Sequence, residues 1–259
     1  MRTLPRRLGA PLLAASLTFT GLVAPAAMAV PAPAMKNDPR LVALTGTKNT
    51  RTFATYRTVD GASITPRVMR SDTLAHLTDR DRRKLAARGL ATVVDLRTLP
   101  ERALQPDRGP VRAREHVVDI FGAEVLENID LDSAYKFFVT DAGARAGFAR
   151  ALRLISSTLG RDRAALFHCT SGKDRTGWTA ALLLTIAGVD RATVERDYLA
   201  SNKFRQARDG SSEGVTLRWL RESIGEANSR YGSIDGYVRR GLGLTAHEVA
   251  TLRHRLRAA

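Results

Sequence analysis

Cys169 is the sole cysteine of the 259-residue chain and lies in His-Cys-Thr-Ser-Gly-Lys-Asp-Arg-Thr-Gly, residues 168–177. An apolar run from Ala164 to Phe167 leads into it, and Thr176 to Ala187 reads as an apolar helix closed by Gly188. Strand, tight loop and helix N-terminus in that order turn successive backbone N–H groups toward one point, and the helix dipole completes an anion site there. Gly172 and its small neighbours let the loop curl, and Arg175, six positions after the cysteine, can return to grip two oxygens of a phosphate. Cations and helix N-termini also favour the thiolate, the nucleophilic form of cysteine. The spacing therefore supplies a nucleophile, Cys169, and a clamp, Arg175, with Thr170, Ser171, Gly172 and Lys173 as further anion ligands. His168 is read as holding the loop by hydrogen bonding, and Thr176 as donating its hydroxyl to the sulfur.

Each residue also has a plainer reading. A lone buried cysteine is usually inert filler, although the complete loop around Cys169 weighs against that here. Lys173 and Asp174 can be a solvated pair, and Asp95 with Arg97 reads as a structural pair behind the loop before a substrate ligand. The histidines, at positions 76, 116, 168, 247 and 254, show no ligand spacing, and His247-Glu248 has no second histidine at the zinc-protease distance. Neither a metal nor another cofactor is expected. A sulfurtransferase loop ordinarily has one residue fewer before its closing arginine, so the count disfavours that chemistry.

The elements that must position this loop are legible upstream and downstream. Asp60-Gly61 is a two-residue turn signal between β-rich stretches from Thr52 to Arg70, which predicts a hairpin. Thr78-Asp79-Arg80-Asp81 resembles a capping box and Gly89 a stop, so Asp79 to Arg88 is expected to be helical. Ala91 to Leu96 follows as a buried strand, and Glu115 to Ile120 is a second strand. Phe148, Leu152, Ile155 and Leu159 recur at helical spacing before Gly160. After the catalytic stretch, Ala192–Ser201, Ser212–Ser229, Ser233–Arg240 and Thr245–Leu256 all read as helices. Strands alternating with helices, then helices alone, indicate one α/β domain with a helical C-terminal portion.

With 44% hydrophobic residues the chain can bury a sizeable core, and its net charge of +15 is spread along the length. A surface of that sign favours acidic partners, an anionic membrane surface among them, and selects none. Aromatic residues make up only 6%, with no basic stripe interleaved by them, so no specific nucleic acid is expected and a silent basic binding module is the remote alternative. Arg2, Arg6 and Arg7, an apolar segment from Leu12 to Val23, and Ala27-Met28-Ala29 read as a secretory signal peptide over residues 1–29, cleaved after Ala29. Residues 30–47 are expected to be a flexible Pro/Ala-rich tail and 48–259 the catalytic domain.

The loop resembles the phosphate-binding loop of the cysteine-dependent protein tyrosine phosphatases. More narrowly, HC-x-x-GKDRTG with TVVDLR (Thr92 to Arg97), DYLASN (Asp197 to Asn202) and YGSIDGYV (Tyr231 to Val238) is similar to the bacterial secreted tyrosine-phosphatase-like family. The departure is NTRTFATYRTVDG (Asn49 to Gly61), where that family usually has a glycine pair and an acid before the tyrosine. The resemblance implies a tyrosine-phosphatase-like fold, with a mainly parallel central sheet flanked by helices. It also implies hydrolysis of phosphomonoesters of proteins through a cysteinyl-phosphate, on phosphotyrosine and in some relatives phosphoserine or phosphothreonine. A phosphoinositide is the alternative substrate, for which Lys173 would meet a second phosphate; otherwise Lys173 only pairs with Asp174. The general acid implied is Asp174 inside the loop, or, as in other relatives, an upstream aspartate among Asp130, Asp132 and Asp141.

Overall fold

The computed structural model describes residues 37–109, 112–122, 131–208 and 211–258. The signal peptide, residues 30–36 of the expected tail, and Asp130 with the side chain of Asp132 lie outside the described residues. A five-stranded sheet has the order β1-β3-β6-β4-β5, with β1 at Arg51–Thr52, β3 at Val68–Ser71, β4 at Leu90–Asp95, β5 at Arg114–Val117 and β6 at Ala164–His168. All neighbours are parallel except β1, which runs antiparallel to β3. A small antiparallel pair joins β2 (Ser63–Ile64) to β7 (Arg257–Ala258).

Side chains along the inner strands alternate between two apolar layers, as the period of two requires. Ala165 and Phe167 of β6, with Val94 of β4, face the larger core, while Leu166 and Val93 face a smaller one. The larger core is closed by α4 (Ala142–Leu159), α5 (Arg175–Ala187), α6 (Arg191–Arg205), α7 (Leu217–Tyr231) and α9 (Ala246–Leu256). α1 (Asp79–Ala87) and the N-terminal segment cover the other face: Leu85, Val42 and Leu44 are buried there. The packed domain therefore begins ahead of Lys48, where the sequence reading placed its start, because Val42 and Leu44 are core and Leu41 bridges to Arg51.

Most expected elements are present within a residue or two. Thr78 closes a capping box on α1, with Asp81 in the role usually taken by Glu. Gly61, at φ +89°, makes the turn between Arg57 and Ser63. α7 starts at Leu217 instead of Ser212, because both ends of the Asn202 amide bind the backbone of Val215 and Thr216, in extended backbone, caps the helix. The expected helix from Ser233 to Arg240 is a short α8 (Ile234–Gly236) followed by a π turn, Tyr237–Gly241, in which Leu242 N–H donates to Tyr237 O at 2.8 Å. Two helices went unread: α2 (Leu99–Leu104) and α3 (Leu131–Thr140).

Candidate active site

β6 is the middle strand, and Ser71, His168 and Asp95 stand in register at the carboxyl ends of β3, β6 and β4. Ligands of open α/β sheets bind at this end, and the loop His168–Arg175 emerges there. Cys169 is 2% exposed, and α5 begins at Arg175.

The loop's shape follows from where its carbonyls go. Thr170 O accepts from Thr73 N–H at 3.0 Å. Ser171 O accepts from Arg205 Nη1 at 3.0 Å and Asn49 Nδ2 at 3.3 Å. Gly172 O accepts from Arg70 Nη2 at 2.8 Å and Asn49 Nδ2 at 2.9 Å. In a trans peptide the N–H points opposite to the C=O, so drawing three successive oxygens outward turns the N–H groups of Ser171, Gly172 and Lys173 inward. The result is an anion cradle above Cys169. Gly172 is required at its position: φ is +66°, and a Cβ there would lie 2.5 Å from Ser71 O.

The outward donors are themselves fixed. Asp197 on α6 accepts from Arg70 Nη1 at 2.6 Å and Arg51 Nε at 3.2 Å, with all three side chains buried. Burial alone would raise the Asp197 carboxyl, but the charges of Arg51 and Arg70 overcome it and the net direction is down. Burial, together with the like charge of Arg70, pulls Arg51 down to about 10. Asn49 is set by Asp72, whose carboxylate accepts from the N–H groups of Lys48 and Asn49. The segment that departs from the family pattern thus contributes Asn49 and Arg51 to the cradle.

A second buried group lies behind the strand. Arg97 donates to Asp95 through Nε at 2.9 Å and Nη2 at 2.7 Å, and Nη2 lies 2.9 Å from Asp107 Oδ2. His168 Nε2 is 3.0 Å from the same Asp107 oxygen, near enough for an ion pair though not aligned as a hydrogen bond. Burial disfavours the imidazolium, but Asp107 and Asp95 outweigh it and raise His168 above its usual range. Its Nδ1 sits 3.2 Å from Cys169 O, so His168 is bound into the loop as the sequence suggested. Asp95, Asp107 and His168 offer ligand atoms within 4.8 Å of one another, a donor set of metal-binding type, but the Arg97 guanidinium pairs with both carboxylates.

Arg175 is held by a residue that the sequence reading passed over. Its Nη1 donates to Glu101 Oε2 at 2.6 Å and to Leu96 O at 3.2 Å, and Nη2 donates to Glu101 Oε1 at 2.5 Å. Those bonds leave the Nε hydrogen and the second Nη2 hydrogen, which share one edge of the guanidinium and form a fork for two phosphate oxygens. Glu101 also accepts from Thr170 Oγ1 at 2.6 Å and from Thr98 N–H at 2.9 Å, closing a capping box on α2. Burial would raise the Glu101 carboxyl, yet the Arg175 bonds and charge with the Thr170 and Thr98 donors bring it down to about 2. Arg175 moves up despite its burial, driven by Glu101 and then by the charge of nearby Cys169. Phe121 lies over the guanidinium, its ring centre 5.0 Å from Cζ. The legible signal for Glu101 was Thr98-x-x-Glu101 directly after the TVVDLR strand, a helix start at the catalytic end of the sheet.

Asp174 Oδ1 accepts from the Tyr135 hydroxyl at 2.7 Å, and Oδ2 lies 3.1 Å from Lys173 Nζ. Lys173 is 4% exposed, with its ammonium 5.6 Å from the centre of the Trp219 ring. Asp141 instead caps α4, accepting from Ala144 N–H at 2.7 Å, and among the described residues no hydrogen bond joins it to the loop. Thr176 departs from expectation. It is fully buried in the first turn of α5, and its hydroxyl has no hydrogen-bond partner among the described residues, so the expected bond to the Cys169 sulfur is not made.

Residues 42–258 match the tyrosine phosphatase family, and the chain belongs to it. It is similar to the tyrosine-protein phosphatase of Nostoc commune, 30% identical over 221 residues that cover 73% of each chain. The triple specificity protein phosphatase PtpB of Mycobacterium tuberculosis is 28% identical over 234 residues, covering 67% of this chain and 84% of that one. Among solved structures, Pseudomonas aeruginosa TpbA covers 68% of this chain and 86% of its own, with 18% identity and a TM-score of 0.41.

Proposed function

We propose that this enzyme hydrolyses phosphotyrosine in proteins through a phosphocysteine intermediate. The observation that carries the reading is the inward cradle: loop carbonyls drawn outward by Thr73, Asn49, Arg70 and Arg205, with the free edge of Arg175 closing the ring above Cys169. In the first step Cys169 Sγ attacks phosphorus in line, the S–P bond forms and the P–O ester bond breaks. The departing phenolate takes a proton from Asp174, the acid that belongs to the loop. In the second step the Asp174 carboxylate takes a proton from water as it attacks phosphorus, the S–P bond breaks, and inorganic phosphate leaves. Charge that gathers on the equatorial oxygens meets preorganised amides and Arg175, and one such donor is worth about 10² to 10³ in rate.

Phosphoserine and phosphothreonine are proposed as secondary substrates, since the cradle grips only the phosphoryl group. The phosphoinositide reading draws no support from Lys173, whose ammonium is already paired with Asp174 and set against Trp219. Export, with removal of residues 1–29, belongs to the same proposal and rests on the composition of that leader. Phosphate release from phosphotyrosine peptide, phosphoserine peptide and phosphoinositide vesicles, measured side by side with and without vanadate, tests the reading. Fastest release from the tyrosine peptide, arrested by vanadate and absent in Cys169→Ser, is expected. Undiminished turnover in Cys169→Ser, or none on any phosphoester by the native enzyme, would refute it.

A further inference from the structure

Asp174 occupies the N-cap position of α5, yet its carboxylate makes no cap hydrogen bond. An aspartate there ordinarily accepts from the N–H of the second or third helical residue. Here the carboxylate turns instead to Tyr135, at 2.7 Å. A phenol has a single hydrogen. With that hydrogen committed to Asp174, the 2.5 Å contact between the Tyr135 and Tyr198 hydroxyls runs with Tyr198 as donor. Tyr135 is fully buried, and its ring is walled by Phe138 at 5.2 Å, Trp219 at 6.1 Å and Tyr198, edge-on, at 6.3 Å. Neither the ring nor its hydroxyl has room to follow a carboxylate that moves.

We propose that Tyr135 is a positioning residue for the general acid: it draws the Asp174 carboxyl off the helix N-terminus and holds it at the edge of the loop. This inference rests on the reading of Asp174 as the proton donor. Two consequences make the arrangement useful. The amides of the first turn of α5 stay available to phosphate instead of being satisfied by their own cap residue. A hydroxyl can also donate to a carboxylate or accept from a carboxylic acid, so both protonation states that Asp174 passes through in turnover find a partner. Lys173, the other neighbour, can only donate. The three helices behind Tyr135, Tyr198 and Trp219 thereby act on the chemistry without touching the substrate.

The test is a series of aryl phosphates whose phenols span a range of acidity, turned over by the native enzyme, Tyr135→Phe, Asp174→Asn and the double variant. Tyr135→Phe is expected to lower kcat about 10-fold or more on the poorest leaving groups, the scale on which a misplaced catalytic group is felt. It should leave the best leaving groups and the affinity for vanadate nearly unchanged. The double variant should be no slower than Asp174→Asn, because the tyrosine acts only through the acid. A loss by Tyr135→Phe that is uniform across the series, or that adds to the loss of Asp174→Asn, would overturn the role of Tyr135 and leave the acid standing. Indifference of Asp174→Asn to the leaving group would overturn both. Should Tyr135→Phe fail to fold, Tyr198→Phe keeps the bond to Asp174 and is expected to give a smaller loss confined to poor leaving groups; a uniform loss would contradict the proposal.

Discussion

Beneath the loop, Arg51, Arg70 and Asp197 form a charge triad whose side chains are 0%, 0% and 1% exposed, bound to the backbone of Gly172 and to the side chains of Asn49, Tyr56 and Ser201. At the loop's outer edge, Asp174 is 21% exposed and is gripped by a phenol, backed by aromatic rings, with one lysine beside it. The first arrangement holds peptide groups that must never rotate. A buried ion pair does so at a heavy cost in desolvation, repaid by close geometry and saturated hydrogen bonds. The second holds a carboxyl that gains and loses a proton every cycle, between a neutral phenol, which can donate or accept, and a single ammonium, which can only donate. Buried fixed charge on both sides holds the phosphate cradle, whereas the acid sits partly exposed between one neutral and one charged neighbour.

Breaking the charged side should cost the most. Asp197→Asn leaves Arg51 and Arg70 buried without their shared counter-charge, and a loss of about 3 to 5 kcal/mol in denaturant unfolding is expected. A loss under about 1 kcal/mol, within the range of exposed pairs, would show that the triad contributes no more than a surface contact.

Glu101 sharpens the contrast from the exposed side of Arg175. Its folded pKa of about 2 lies below the usual 4.5, so between those values the unfolded chain binds the proton first. The stability it contributes is complete above pH 4.5 and is lost as pH falls through about 2. Glu101→Gln should therefore flatten the acid limb of the native unfolding curve in that window, by about 3 kcal/mol at most, and weaken phosphate binding by freeing the Arg175 fork to wander. An unchanged acid limb would mean that Glu101 is not the group that titrates.

Lys173→Ala is the mildest change. Its buried contact with the Trp219 ring is worth about 2 kcal/mol, and activity on phosphotyrosine peptide and on a polyphosphorylated ligand should fall equally. A loss confined to the polyphosphorylated ligand would place a second phosphate on Lys173 instead of Asp174.

The cradle was legible because its chemistry is local: the cysteine, glycine and arginine that make it lie within seven residues, between a strand and a helix that announce themselves by apolar pattern. Its supports were not, since Glu101 meets Arg175 across 74 positions, Arg70 meets Gly172 across 102, and Tyr135 meets Asp174 across 39. No spacing rule connects such pairs. Tyr135 was doubly hidden, because Tyr135-Lys136-Phe137-Phe138-Val139-Thr140 is rich in residues that disfavour helices, and packing of α3 against α7 overrides that preference. α2 buries none of its residues, so it has no apolar stripe to read and is tied down largely through Glu101. The tail boundary was misplaced because proline and alanine around residues 30–36 masked the apolar run just after them.

Everything proposed for the loop depends on Cys169 taking the phosphoryl group. Rapid acid quenching of the native enzyme and of Asp174→Asn during turnover of phosphotyrosine peptide, followed by peptide mass spectrometry, tests it most directly. One phosphoryl group is expected on the peptide containing Cys169, and none in Cys169→Ser. A phosphoryl group found on His168 or another residue, or steady turnover with Cys169 never labelled, would contradict it.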